Sequence, residues 1–230
     1  MVDHELPHLA SVNVILRKNL VQWGRENFQS FPWRRTKDPY LILIAELMLH
    51  RTQVKQVVPV YEIFVHKYAT LNDFLEADES TINAIFSPLG LHWRTRKVIE
   101  IREIIKTKYD GIIPDNYEQL ICLPGINDYI ASAILCFANN KKVILVDTNT
   151  IRVISRIQGM NQSDSLRRNK KFVENMRVIL GTNQLKEINY SLIDLAHLIC
   201  KNRSPLCDIC PLISTCVFGI SYTNSLKIAK

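Results

Sequence analysis

The sequence predicts an all-α chain, and three observations predict it. Leu, Ile, Lys and Glu recur at helical spacing along most of the 230 residues. Only seven glycines interrupt that pattern. Helix starts are legible, and the segments between them are short, as packed helices require. A chain of this length fits one compact globule or two small lobes.

The elements follow in order. Asp38-Pro39 places a capping carboxylate ahead of a proline suited to the first helical turn, and the apolar run 41–49 continues from it. Pro114-Asp115 opens another helix that ends near Cys122. Leu123-Pro124-Gly125 breaks the chain, and 128–138 forms the next helix. The apolar run 143–146 has the composition of a short strand, although it lies between helices. No repeat, low-complexity tract or Gly/Ser linker divides the chain, so composition places no domain boundary.

Composition narrows the class of partner. Apolar residues make up 47%, which excludes wholesale disorder. No stretch is apolar for long enough to span a bilayer, and Asp3, Glu5 and Arg17 interrupt the N-terminus against the pattern of a secretory signal. The expectation is an intracellular protein with no membrane partner. Lys and Arg number 29 against 22 Asp and Glu, a net charge of +7. The cations recur in groups: Arg34, Arg35 and Lys37; Arg94, Arg96 and Lys97; Lys141 and Lys142; Arg167, Arg168, Lys170 and Lys171. Such groups attract a polyanion in a salt-dependent way, and they equally suit a solvated basic surface.

Six cysteines are present, and four fall in one short C-terminal stretch. Cys200, Cys207, Cys210 and Cys216 are spaced C-x6-C-x2-C-x5-C. In an intracellular protein such clustering points to metal and not to disulfides. Zinc sites of four cysteines usually pair two C-x2-C units, and only one is present; the wider first gap suits a cube-shaped cluster better. Cys122 and Cys136 read as fillers of apolar helical faces.

Two carboxylates and one turn carry the remaining chemistry. In Leu123-Pro124-Gly125-Ile126-Asn127-Asp128-Tyr129 a tight hairpin joins two helices, and amides at the second helix's start can hold a phosphate without reading sequence. Asp147 reads as the N-cap of the helix beginning Thr148-Asn149-Thr150. The same position suits an anion beside a sugar that develops positive charge, because a helix N-terminus favours the ionised carboxylate. Glu46 stands in an apolar run with His50 as its polar neighbour one turn away. If buried, its carboxyl becomes a candidate proton donor or hydrogen-bonding partner; if exposed, it carries no such role. One protonatable and one ionised carboxylate form the pair that glycosidic bond cleavage uses.

Taken in order, Phe31-Pro32-Trp33-Arg34, Asp38-Pro39-Tyr40, Glu46, Thr52-Gln53-Val54, Leu123-Pro124-Gly125, Val146-Asp147, Arg152-Val153 and the cysteine box resemble the endonuclease III and adenine glycosylase branch of the helix-hairpin-helix DNA glycosylases. The resemblance spans about 31–216. It implies a two-lobed all-α fold, with a six-helix barrel over 31–141 and a discontinuous lobe of 1–30 and 142–230. That lobe would carry a [4Fe–4S] cluster on the four cysteines. It also implies a monomer that binds double-stranded DNA and extrudes the target nucleotide. Asp147 would stabilise the oxocarbenium-like sugar or help position water, Tyr129 would pack at the sugar, Glu46 would engage the extruded base and Asn149 would support the pocket. Gly125, Ile126, Asn127, Arg51, Gln53, Lys201 and Arg203 would contact DNA.

Tyr129 carries the most information. The strand-cleaving members of that branch place a lysine there, and a phenol cannot form a Schiff base, so the resemblance implies a monofunctional glycosylase without efficient lyase activity. Tyr129 with Asp147 and Asn149 occurs both in adenine glycosylases and in mismatch glycosylases that remove thymine or uracil opposite guanine. The 14 residues after Cys216, the pair His50-Arg51 where adenine glycosylases carry two glutamines, and the compact length favour the mismatch enzyme. A glycosylase with lyase activity through another lysine, and a non-catalytic DNA-binding module, are the competing classes. Two departures stand out. Asn127 replaces the second hairpin glycine, and asparagine tolerates left-handed backbone better than most residues; Leu91-His92-Trp93 differs from both relatives and is a candidate contact to the opposite strand.

Overall fold

The computed structural model describes residues 6–90 and 92–228 of the chain, so Leu91 lies outside the described residues. Twelve α-helices and several 3-10 turns account for the described secondary structure, which is all helical. The helices are α1 (Leu6–Glu26), α2 (Pro39–Leu49), α3 (Val54–Lys67), α4 (Leu71–Leu75), α5 (Glu79–Phe86) and α6 (His92–Lys108), followed by α7 (Tyr117–Ile121), α8 (Asp128–Phe137), α9 (Thr148–Gln158), α10 (Lys170–Leu180), α11 (Leu185–Leu198) and α12 (Val217–Ile228). The run 143–146 forms no strand: its backbone is irregular, and Leu145 donates to the Asn189 side chain at 3.1 Å. No described helix is long and apolar enough to cross a membrane.

The chain divides into two compact units, Ser30–Val143 and Met1–Gln29 with Ile144–Lys230. In the first, α2 is the central element. Asp38 caps it by accepting from the Tyr40 amide at 2.8 Å, and 42–48 are all buried. It packs on α3 and α8, so both faces are covered, which explains a helix apolar on nearly all sides. Stacked and edge-on rings of Tyr40, Phe64, Phe74 and Phe86 fill the space beside it.

Two arginines of the expected basic groups are not surface charges. Arg94 is 1% exposed; its guanidinium donates to the carbonyls of Leu47, Met48 and Leu89 and to Thr52 Oγ1. It ties the C-terminus of α2 to the loop before α6. Arg34 is also buried, with its guanidinium over the Phe31 ring. For Arg94, position in a basic run said nothing of this, because the Leu47 and Met48 carbonyls come from elsewhere in the chain.

The second unit is built on α1, α9, α10 and α11. Leu16 and Leu20, Ile151 and Ile154, Phe172 and Met176, and Leu192 and Leu195 share one core, and Cys200, Cys210 and Cys216 belong to it or pack on it. Helix α1 crosses α11 so closely that a Cβ on Gly24 would stand 1.8 Å from Ser191 Oγ, so only glycine fits there. The cysteine stretch thus lies on a packed scaffold.

Helix starts differ in one place from expectation. The segment at Pro114-Asp115 is not yet helical; α7 begins at Tyr117, capped by Asn116 accepting from the Gln119 amide at 2.9 Å. Asparagine supplies the cap two residues later than the proline suggests. Cys136 is buried as a filler, whereas Cys122 is exposed. Cys122 stands just past the last turn of α7, where the chain bends away and the helical face ends.

Candidate active site and cysteine loop

The hairpin between α7 and α8 turns at Gly125, whose φ of 86° needs a residue without a side chain. Its Cβ position would meet Lys97 Cβ at 3.2 Å, so the turn lies directly against α6. A hollow of about 780 Å3 beside it is lined by His92, Arg96, Cys122 and Pro124 among others. Asn127 is extended (φ −108°, ψ 175°) and not left-handed, so the reason expected for its tolerance is wrong. It serves instead as the N-cap of α8, with Oδ1 accepting from the Ile130 amide at 2.9 Å. The Ile126 amide donates to the Leu123 carbonyl at 3.1 Å. Two amides of this turn are therefore already occupied.

Asp128, overlooked in the sequence, places a carboxylate in the first turn of α8. Tyr117 donates a short hydrogen bond to it, which pushes the phenol up to about 12, with burial adding to the shift. An anion here opposes a phosphate at the same helix end. Asp128→Asn is expected to tighten binding of an undamaged duplex by about fivefold at low salt, less as salt rises. Fluorescence anisotropy titration checks this; unchanged affinity would show that the end of α8 faces no phosphate.

Tyr129 follows in the same first turn and is half-buried. Glu46 is 6% exposed on α2, the helix that packs on α8. Beyond it, His50 and Trp93 meet edge-on, ring centroids 5.7 Å apart. Burial, then Arg51, then Arg94, hold the His50 imidazole below its ordinary range. Arg51 is exposed and left-handed (φ 62°), an uncommon backbone for a side chain of that size. Gln53 is exposed at the N-cap of α3 without a capping bond from its side chain.

In the other unit, Asp147 caps α9. Its carboxylate accepts from the Asn149 amide at 3.0 Å, the Thr150 amide at 2.7 Å and Asn149 Nδ2 at 2.9 Å, while Thr150 Oγ1 accepts from the Asp147 amide at 2.9 Å. Capping fixes the carboxylate, so the structural and chemical readings of this residue coincide. Asn149 Oδ1 in turn accepts from Arg152 at 3.1 Å, and Arg152 donates onward to the carbonyls of Cys200 at 2.8 Å and Ala196 at 2.9 Å. A continuous chain of bonds thus runs from Asp147 to the backbone of the first cysteine of the box. Sequence reading missed this role of Arg152; its spacing of three from Asn149, one helical turn, is the signal that could have found it.

The four cysteine sulfurs share one neighbourhood. Burial pushes the Cys210 thiol up to about 11, and Cys200, Cys216 and Cys207 add to it; Cys207 and Cys216 are raised by burial and by Cys200. The Gly219 amide donates to Cys216 Sγ at 3.4 Å. Among the described residues no three His, Cys, Asp or Glu side chains are gathered as on a single metal ion. Lys201 and Arg203, between the first two cysteines, are exposed.

The sequence model described as "HhH-GPD superfamily base excision DNA repair protein" matches residues 44–177. The chain belongs to that superfamily. This member is 37% identical over 208 residues to a thymine-DNA glycosylase of Aeropyrum pernix, covering 88% of this chain and 93% of the relative. It is 36% identical over 218 residues to an adenine DNA glycosylase of Buchnera aphidicola, covering 92% of this chain and 60% of that one. Among solved structures, a thermostable thymine-DNA glycosylase superposes with a TM-score of 0.84 at 29% identity, covering 92% of this chain and 98% of the other. The matched region contains α7 and α8, and DNA repair is the setting of this HhH-GPD protein.

Proposed function

We propose that this chain is a monofunctional DNA glycosylase that hydrolyses the N-glycosidic bond of thymine or uracil opposite guanine, acting as an intracellular monomer on double-stranded DNA. The observation that carries the reading is the Asp147 carboxylate, fixed by three donors at the start of α9, combined with a phenol and not an amine at Tyr129. As the bond to an extruded base lengthens, positive charge grows at the anomeric carbon. A pre-positioned carboxylate stabilises that charge without reorganising. Buried Glu46 hydrogen-bonds the leaving base, Tyr129 lines the sugar, and no amine at residue 129 captures the sugar afterward. The hairpin amides of Gly125 and Asn127 hold a phosphate, with Arg51, Gln53, Lys201 and Arg203 flanking the duplex. The left-handed Arg51 supports a reading role, since strained backbone concentrates where a side chain must be presented.

The four cysteines, Cys207 and Cys216 buried and Cys200 and Cys210 half-buried in one neighbourhood, fit a [4Fe–4S] cluster. Such a cube takes each thiolate at a separate iron and needs them around a shared volume, not converged on one point. Cys200, Cys207, Cys210 and Cys216 would hold it, and bound there it would crosslink the 200–216 loop to itself just past the end of α11.

The 36% identity to an adenine glycosylase keeps adenine removal as the second reading. Incubation with duplexes bearing G:T, G:U, A:G, or A opposite oxidised guanine, followed by alkali, separates them. The expected result is fastest cleavage of the G:T and G:U strands, and only after alkali. Fastest cleavage opposite oxidised guanine would transfer the assignment to adenine. For the cofactor, brown protein with broad visible absorption and iron on elemental analysis is expected; colourless protein with stoichiometric zinc contradicts the cluster.

A further inference from the structure

Arg156 lies one turn beyond Arg152 on α9 and on the same face. Its guanidinium donates to Cys200 Sγ at 3.3 Å, to the Lys201 carbonyl at 2.7 Å and to the Asn202 carbonyl at 2.8 Å. It also lies over the Phe218 ring, 5.0 Å from the centroid. Its own carbonyl accepts the Cys216 thiol at 3.3 Å. One residue therefore touches the first and last cysteines of the box and the backbone that presents Lys201.

We infer that Arg156 is a positioning residue that links occupancy of the cysteine site to the order of the 201–203 loop, and so to the presentation of Lys201 and Arg203 toward DNA phosphate. The inference rests on the cofactor reading above. A ligated sulfur carries thiolate charge and accepts a strong, charge-assisted hydrogen bond; a free thiol is a weak acceptor. The bond from Arg156 to Cys200 is stronger when the cysteines are ligated, and the same guanidinium grips the two loop carbonyls. Loss of the ligated state slackens the sulfur bond first, and the carbonyl bonds then stand alone at an exposed edge. Arg152 cannot substitute, because its donors are directed to Ala196, Cys200 O and Asn149.

The test compares wild type, Arg156→Lys and Arg156→Met as purified metal-loaded proteins and after oxidative removal of the metal. Lys201 and Arg203 are themselves tryptic sites, so the rate of cutting after them reports loop order directly. In the loaded proteins, Arg156→Met is expected to be cut about tenfold faster than wild type, with Arg156→Lys between them. After metal removal the three rates are expected to converge. In parallel, removing a donor from a ligating sulfur lowers the cluster's reduction potential, with the lysine variant recovering part of the shift. Wild-type cutting rates in loaded Arg156→Met, or an unchanged difference after metal removal, overturn the link. If Arg156→Met exposes all its basic sites to trypsin alike, the lysine variant decides: it must show faster cutting confined to 201 and 203, or the inference fails. Zinc in place of iron would sink the cofactor reading, while the loaded-against-stripped comparison would still decide whether Arg156 links ligation to the loop.

Discussion

Asp147→Asn is expected to slow base release from a mismatched duplex by about 10^3-fold in single turnover while leaving duplex binding intact. The substitution is nearly isosteric. Asparagine caps helices as well as aspartate does, and its oxygen can still accept from the Asn149 and Thr150 amides, so α9 keeps its start. What is lost is the negative charge, and with it the acceptor for Asn149 Nδ2. With the charge goes the stabilisation of a sugar whose anomeric carbon becomes cationic as the base departs. A merely structural Asp147 would tolerate the change, so a loss of less than about tenfold would remove it from the chemistry. Near-complete loss of duplex binding would instead mean that the carboxylate organises the surface.

Much of this half of the site was legible in the sequence because its determinants are local. Asp147, Asn149 and Thr150 lie within one turn, so a capping pattern predicts both the helix start and the carboxylate's fixation. The hairpin's Gly125 was legible for the same reason: a left-handed turn between two helices admits few residues. What escaped the sequence depended on distant partners. The role of Asn127 was misassigned because the left-handed residue proved to be Gly125, leaving Asn127 free to cap α8. Asp128 escaped because its partner, Tyr117, belongs to the preceding helix. Arg94 read as a surface cation because the Leu47 and Met48 carbonyls that it meets lie far from it in sequence, and Arg34 did so although the Phe31 ring beneath it is only three residues away. Cys122 was misplaced because its own helix, α7, ends one residue before it and leaves it exposed.

Arg94→Met is expected to destabilise the 30–143 unit by about 3 kcal/mol, lowering its unfolding temperature by on the order of 10 °C. Burial draws the guanidinium below its ordinary range, yet its donors satisfy the carbonyls of Leu47, Met48 and Leu89 and the Thr52 hydroxyl. Methionine fills much of the volume but leaves those acceptors unpaired in a dry interior. The effect reaches function, because the Leu47 and Met48 carbonyls lie in the last turn of the helix that carries Glu46 and just before the left-handed Arg51. Arg94→Lys should recover only part of the loss, since one ammonium cannot span a fork of acceptors. Thermal unfolding by circular dichroism checks the series. A methionine variant within about 1 °C of wild type would show that the carbonyls are satisfied by other means.

The central claim is that the glycosidic bond breaks beside Asp147 and nothing takes the sugar afterward. Mass spectrometry of both strands after incubation with a G:T duplex, without alkali and with borohydride present, tests it most directly. Free thymine with an intact abasic strand and no protein–DNA adduct is the predicted result; a strand broken at the abasic site, or a borohydride-trapped covalent complex, contradicts it.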